Sequence, residues 1–404
     1  MFNLTEEKLS STMISLFTGA MGLDLGFELE GFETRVIVEN DRAAVDTIRL
    51  NRPGIPVIMR ENGKRGFRPA SIEEVSTDEL LKVAGLGIEE TTVLIGAPPC
   101  EPYSTAGRRN GKADHRADGI LEFIRIIKET RPHYFILEEV DSFLSSAVRH
   151  IPFYERIRKT EDELAPEERL GSFFHEVMAA FEDTGYILSF DPDNPKGCVL
   201  NAVDFGVAQK RKRFILIGSR EGPAVKLPVR NKIQPKTLGQ ILNEINDPSP
   251  EYSNFPPSWG QYLPLVPPGG CWRDLPNDIQ RIVLGGAYDD PENTYTKGKK
   301  GGRTGFMRRL SRGLPSPTLV DSPTTKAACM CHPDENRPLS VREYAALQGF
   351  PQHWLFQRSI AAKYRLIGQA TPVPLAQAIA QAINESMDSQ SQSIISITTP
   401  DTLT

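Results

Sequence analysis

Met13-Ile14-Ser15-Leu16-Phe17 runs directly into Thr18-Gly19-Ala20-Met21-Gly22, and the reading of this junction decides the fold. The first five residues are a short apolar run, the pattern of a buried strand. The amphipathic stretch that follows, through Leu29, reads as a helix. Gly19 and Gly22 lie between the two, where backbone N–H groups at a helix start can face a polar ligand. Met21 interrupts the three-glycine pattern that cradles a pyrophosphate. A second strand, Thr34 to Val38, ends at Glu39, where such folds bind ribose hydroxyls. An adenosine-containing cofactor without a pyrophosphate fits this combination, and S-adenosylmethionine answers that description.

Outward from the junction, the alternation continues. A helix is expected from Arg42 to about Leu50, and strands at Val93–Ile95, Tyr134–Leu137 and Phe214–Gly218. Further helices are expected at Gly119–Thr130 and Phe174–Thr184, and the charged stretch from Glu155 to Leu170 reads as surface helix. Strands alternating with helices predict an α/β protein with a doubly wound, mostly parallel, Rossmann-like sheet.

The strand at Val93 opens onto Pro98-Pro99-Cys100. Two prolines stop a strand and fix the backbone direction. They hold one thiol at the carboxyl edge of the sheet, where α/β proteins place their ligands. A cysteine so placed is a candidate nucleophile, with a small buried apolar residue as the alternative.

At 404 residues the chain is too long for one core, so two domains are expected. No apolar run approaches the roughly 20 residues that span a bilayer, and the acidic start, Met1 to Lys8, is not a secretory signal. Five scattered cysteines argue against a disulfide framework and for a reducing cytoplasm. Cys329, Cys331 and His332 have the wrong spacing for a zinc site, so no metal is expected.

The net charge of −5 excludes a protein that holds nucleic acid by bulk charge, but not one with a local basic face. Thr296 to Arg312 carries Lys297, Lys299, Lys300, Arg303, Arg308, Arg309 and Arg312, without an acid and with glycines interleaved. Such a loop can track phosphates or be a solvated surface. Lys210-Arg211-Lys212-Arg213 is a second basic run, and Arg108, Arg109, Lys112 and Arg116 form a third.

Taken in order, six blocks resemble the motifs of the DNA cytosine-5 methyltransferase family of bacterial, S-adenosylmethionine-dependent type. They are Phe17-Thr18-Gly19, Pro98-Pro99-Cys100, Glu138-Glu139-Val140, Gln209-Lys210-Arg211-Lys212-Arg213, Arg337-Pro338-Leu339-Ser340-Val341-Arg342-Glu343 and Gly368-Gln369-Ala370. Together they cover most of residues 13 to 385. Asn201–Gln209 and Glu343–Pro351 are similar to the family as well.

The resemblance implies a chemistry that needs these residue types. Cytosine C5 is a poor nucleophile until a thiolate adds at C6, so Cys100 is implied as the covalent nucleophile. Glu138 would serve the ring at N3, with Arg211 and Arg213 beside the base and Arg213 nearer O2. Cofactor contacts are implied for Phe17, Gly19, Ala20, Met21, Gly22, Leu23, Glu39, Asn40, Ser71, Ile72, Pro98, Gln369 and Ala370. The target base must leave the duplex, and Ser104 and Arg108 fall in the loop that would close over it. Gln209, Lys297, Lys299, Lys300 and Arg303 are the other implied DNA contacts. Double-stranded DNA is the implied partner, with a cognate restriction endonuclease in the same system, and the enzyme would act as a monomer without a membrane.

The implied domains are a catalytic domain over 1–235, a target recognition domain over 236–325 and a segment at 326–386 returning to the catalytic domain. Residues 387–404, rich in Ser, Gln and Thr, are read as a disordered tail. Trp259, Trp272, Arg273 and Tyr295 are candidates for base reading or for packing. The sequence departs from the family at Glu139, where Asn is usual, at Ser71 and Ile72, at Gln369, and at Glu101 and Tyr103. Two other functions stay open: a tRNA cytosine-5 methyltransferase with the same motifs, and a catalytically silent DNA-binding regulator.

Overall fold

The structure is a computed structural model that describes residues 11–99, 118–229, 234–285, 305–325 and 327–398. Cys100, Ser104, Arg108, Tyr295, Lys297, Lys299, Lys300 and Arg303 lie outside the described residues. The chain divides into two units. Unit 1 holds the described residues of Met1–Asn201, Lys212–Arg230 and Val373–Thr404, and unit 2 those of Ala202–Arg211 and Asn231–Pro372.

In unit 1, β1 (Ser11–Leu16), α1 (Gly22–Leu29), β2 (Phe32–Val38) and α2 (Arg42–Asn51) come first. A small hairpin of β3 (Met59–Glu61) and β4 (Phe67–Pro69) follows, then α3 (Thr77–Ala84), β5 (Val93–Gly96), α4 (Asp118–Thr130) and β6 (Tyr134–Val140). The rest is α5 (Phe153–Arg156), α6 (Ser172–Glu182), β7 (Ile187–Leu188), β8 (Val199–Asn201) and β9 (Lys212–Ser219). Helix starts follow from local chemistry. Asp41, for example, accepts the N–H groups of Ala43 and Ala44 at 2.7 and 3.0 Å and so caps α2.

The sheet has the order β2-β1-β5-β6-β9-β7, with β8 also on β9. β2, β1, β5 and β6 run parallel. β9 runs antiparallel to β6, β7 and β8, so the parallel half stops at β6. Every residue of β5 is buried, the signature of a strand covered on both faces. Phe123, Phe135 and Phe181 pack ring to ring over the sheet at 5.3 to 6.5 Å. Each fully buried ring of this kind stabilises by about 1.5–3 kcal/mol.

The stretch from Glu155 to Leu170 is not the surface helix expected. α5 ends at Arg156, and the rest holds only single turns at Glu161–Glu163 and Pro166–Glu168. Glu163 and Glu168 reach back to the N–H groups of Thr160 and Ala165, closing each turn on itself.

Unit 2 contains α7 (Leu238–Glu244), α8 (Pro257–Gly260), α9 (Asn277–Leu284), α10 (Val341–Leu347) and α11 (Ile360–Gln369). Among its described residues, β pairing is limited to isolated bridges such as Arg309 with Cys331. One part of its core gathers Trp259, Trp272, Phe306, Met307, Cys329 and Cys331. Of the two roles open for Trp259 and Trp272, both take packing, and the two thiols sit in apolar surroundings.

α12 (Val373–Thr398) carries the chain back into unit 1 and packs on α1. The contact is close at Gly26, where a Cβ would lie 2.4 Å from Ala376 Cβ. Gln377 and Gln381 donate to Glu30 Oε1, and Asn384 to the Glu30 carbonyl. The helix continues through Thr398, past the Met387 position after which a disordered tail was expected. Ile379 and Ile383 are fully buried and hold its first turns. Propagation of an anchored helix then needs only one bond per residue.

Candidate active site

Gly96, the last residue of β5, is in register with Leu137 on β6, so Glu138 falls just past the end of β5. On the other side, Glu138 is opposite Ile215 and Val140 is opposite Arg213 in the antiparallel β6–β9 ladder. Opposite residues share a face, and so do alternate residues on one strand. Glu138 and Arg213 are thus diagonal neighbours on one face. Arg213 Nε lies 2.6 Å from Glu138 Oε1, with both side chains about nine-tenths buried. Arg213 Nη1 also donates to the Lys212 carbonyl at 2.8 Å, which fixes the guanidinium plane. Glu139 points the other way, is 2% exposed, and accepts the Val140 N–H through Oε2.

The two prolines before Cys100 pack against the start of α4. A Cβ on Gly119 would lie 3.3 Å from Pro99, 3.4 Å from Pro98 and 3.5 Å from the Phe17 ring. This brings Phe17 and Pro98, both expected at the cofactor, to one place.

The turn after β1 is built from left-handed backbone. Phe17, Gly19 and Met21 have φ of 55°, 56° and 68°. Glu39 pins it: Gly19 N–H donates to Oε2 and Asp41 N–H to Oε1, each at 2.7 Å. Burial holds the Glu39 carboxyl above the usual carboxylate range, while these two N–H groups pull it back. A Cβ on Gly19 would meet nothing within 4 Å, so open space lies over the turn. That space, the pinned amides and the acid beyond β2 fit an adenosine-bearing cofactor. Ala20, Met21 and Leu23 are buried supports of the turn, whereas Asn40 is exposed. Ser71 caps a single turn with Glu74, and Ile72 is buried beneath it.

Asp24, in the first turn of α1, was not singled out from the sequence. It is fully buried, and burial pushes its carboxyl up to about 7, with the Glu28 and Glu39 charges adding to the effect and Ser15 opposing it. The signal was an acid between two apolar residues, Leu23 and Leu25.

Residues expected at the base or at DNA divide sharply. Arg211 is 1% exposed and donates to the carbonyls of Leu319 and Gln369 within unit 2. Gln209 is fully buried, donating to Gln348 Oε1 and accepting the Leu319 N–H, so it clamps the interior of unit 2 rather than facing DNA. Gln369 donates to Asp321, and Ala370 ends α11 with its carbonyl held by Gln348. Among the described residues no group of His, Cys, Asp and Glu is arranged to hold a metal, and no helix is long and apolar enough to cross a membrane.

A mostly parallel sheet with a pinned glycine turn after β1 defines a Rossmann-like methyltransferase fold of the S-adenosylmethionine-dependent class. A crystal structure named as that of a putative DNA modification methyltransferase encoded within an E. coli prophage has this fold, with a TM-score of 0.59 at 20% identity, covering 94% of this chain and all of that one. The family model for C-5 cytosine-specific DNA methylase matches residues 11–385. Type II methyltransferase M.Sau96I of Staphylococcus aureus is 33% identical over 91% of this chain and 74% of its own length. Type II methyltransferase M.Eco47II of Escherichia coli is 33% identical over 95% and 82%. The chain belongs to the C-5 cytosine-specific DNA methylase family and is a DNA cytosine-5 methyltransferase.

Proposed function

We propose that the chain is the modification enzyme of a Type II restriction–modification system, methylating C5 of a flipped cytosine within a specific duplex sequence. The observation that carries the reading is the buried Glu138–Arg213 pair, one strand away from the Pro98-Pro99 turn that leads into Cys100. When bound, S-adenosylmethionine supplies an electrophilic methyl group, and Gly19, Glu39 and the rest of the turn after β1 would hold it. The Cys100 thiolate bonds to C6, and the ring electrons that this addition releases make C5 the nucleophile. Glu138 in its protonated form, oriented by Arg213, donates to N3 while charge builds on the ring. Once C5 carries the methyl group, water takes its proton as the Cys100–C6 bond breaks, restoring the aromatic base and the free thiolate.

Bisulfite sequencing of DNA from cells expressing the chain reports activity, base and sequence context together. A recurrent methylated cytosine in one sequence context is expected, and none from the Cys100→Ser variant. With labelled methyl donor in vitro, incorporation into tRNA but not duplex DNA would replace this reading with the RNA one. A Cys100→Ser protein that still transfers methyl groups would overturn the covalent mechanism.

A further inference from the structure

The basic segment that ends at Arg312 could track phosphates or be a solvated surface, and its described arginines have different fates. Arg309 is buried, and its guanidinium is saturated by the carbonyls of Val266, His332, Glu335 and Leu263 and by Asn336 Oδ1, at 2.6 to 3.0 Å. Arg312 is taken up by Asp334 at 2.7 Å and Asn243 at 2.9 Å. Both hold unit 2 together.

Arg308 is different. Its side chain is half-buried, with Nε donating to the Cys329 carbonyl at 3.3 Å and Nη2 to the Met330 thioether at 3.7 Å. Both acceptors are neutral and one is weak. Among the described residues no carboxylate lies within 4 Å of it. Burial lowers its pKa, the mark of a cation that has lost water without gaining a counter-ion. Arg211, Asp321 and Arg308 all act on the Tyr344 hydroxyl, the acid against the two cations. The nearby acid, Asp321, is itself held toward neutrality by burial. Among the described residues the arrangement lacks an anion.

We propose that Arg308 is a DNA-backbone contact of unit 2, taking one phosphate through its Nη1 edge. The proposal rests on the reading of the chain as a DNA methyltransferase. Phosphate is favoured over a base because guanine is read by two parallel donors, and Nε and Nη2 are already engaged. A single remaining nitrogen suits a phosphate oxygen, which positions the protein without specifying sequence.

The test measures binding of the full chain to two fluorescein-labelled duplexes by anisotropy, at several salt concentrations between about 50 and 200 mM. One duplex carries a site mapped by bisulfite sequencing, and the other is a scrambled sequence of the same length. Loss of one phosphate contact lowers the slope of log K against log salt by about 0.9, which is roughly tenfold in affinity near 0.1 M salt. Arg308→Gln is expected to show that loss on both duplexes, and Arg308→Lys, which keeps the charge, to retain the slope. Arg308→Met preserves the apolar stem and gives the same measurement should Arg308→Gln lose its cooperative thermal transition. An unchanged salt slope in a folded variant overturns the proposal, and so does a loss confined to the mapped site, which would make Arg308 a base reader. Failure of the wild-type chain to methylate any DNA would instead sink the functional reading on which the proposal stands.

Discussion

Arg213 on β9 meets Glu138 on β6 at 2.6 Å, diagonally across an antiparallel ladder, with both side chains about nine-tenths buried. Removing one member of such a pair strands a charge, which costs about 3–5 kcal/mol. Arg213→Ala is therefore expected to lower both stability, measured by urea unfolding, and methyl transfer. Glu138→Gln keeps the shape and leaves the neighbouring cation able to bond an amide oxygen. It leaves a buried cation with a neutral partner, so it is expected to cost less stability than Arg213→Ala but not none, while methyl transfer falls by about 10²–10⁴-fold. Wild-type turnover in Glu138→Gln would remove Glu138 from the chemistry.

Glu39 joins the ends of β1 and β2 by accepting from Gly19 and Asp41 with its two oxygens. A glutamine there can accept at only one atom, so one of these N–H groups loses its partner. A hydrogen bond to a charged group contributes about 1.5–3 kcal/mol. Glu39→Gln is expected to weaken S-adenosylmethionine binding tenfold or more by calorimetry, with kcat at saturating cofactor changed far less. Unaltered affinity would show that the carboxylate is not what shapes the turn.

The alternation of apolar runs made the strands of unit 1 legible, because buried parallel strands are continuous apolar segments. The antiparallel direction of β9 was not legible, since strand direction depends on the connection and not on side-chain pattern. Gln209 and Arg211 show the limit for the site. A polar residue in a motif reads the same whether it faces a ligand or satisfies buried carbonyls, and only the burial of both separates the two. Arg309 and Arg308 are adjacent in sequence and alike in charge, yet one is saturated by main-chain oxygens and the other is not. Short polar turns such as those at 161–168 carry no periodicity at all.

Gly26 lets α1 and α12 approach closely, and an added Cβ would lie 2.4 Å from Ala376 Cβ and 2.5 Å from the Gln377 backbone nitrogen. Backbone cannot yield as a flexible side chain can. Gly26→Val is expected to destabilise by about 1–3 kcal/mol or more through overpacking, read as a lower urea midpoint. Paired with Ala376→Gly, part of that loss should return. A Gly26→Val protein as stable as wild type would mean that α12 does not dock on α1 in solution.

Asp24 makes the fold sensitive to pH in an unusual direction. Its carboxyl titrates at about 7 in the folded chain against 3.8 for the ordinary group, because burial disfavours the charged form. Between those values the folded state binds a proton that the unfolded state has released. The stability contributed by the protonated carboxyl is therefore complete below about pH 4, declines as pH rises, and is gone above about 7. The span corresponds to roughly 4 kcal/mol. Asp24→Asn cannot ionise, so it is expected to raise the urea midpoint relative to wild type at pH 8, by only about a third as much at pH 5, and to leave it little changed below about pH 4. Parallel pH profiles for the two proteins would show that Asp24 does not govern this window.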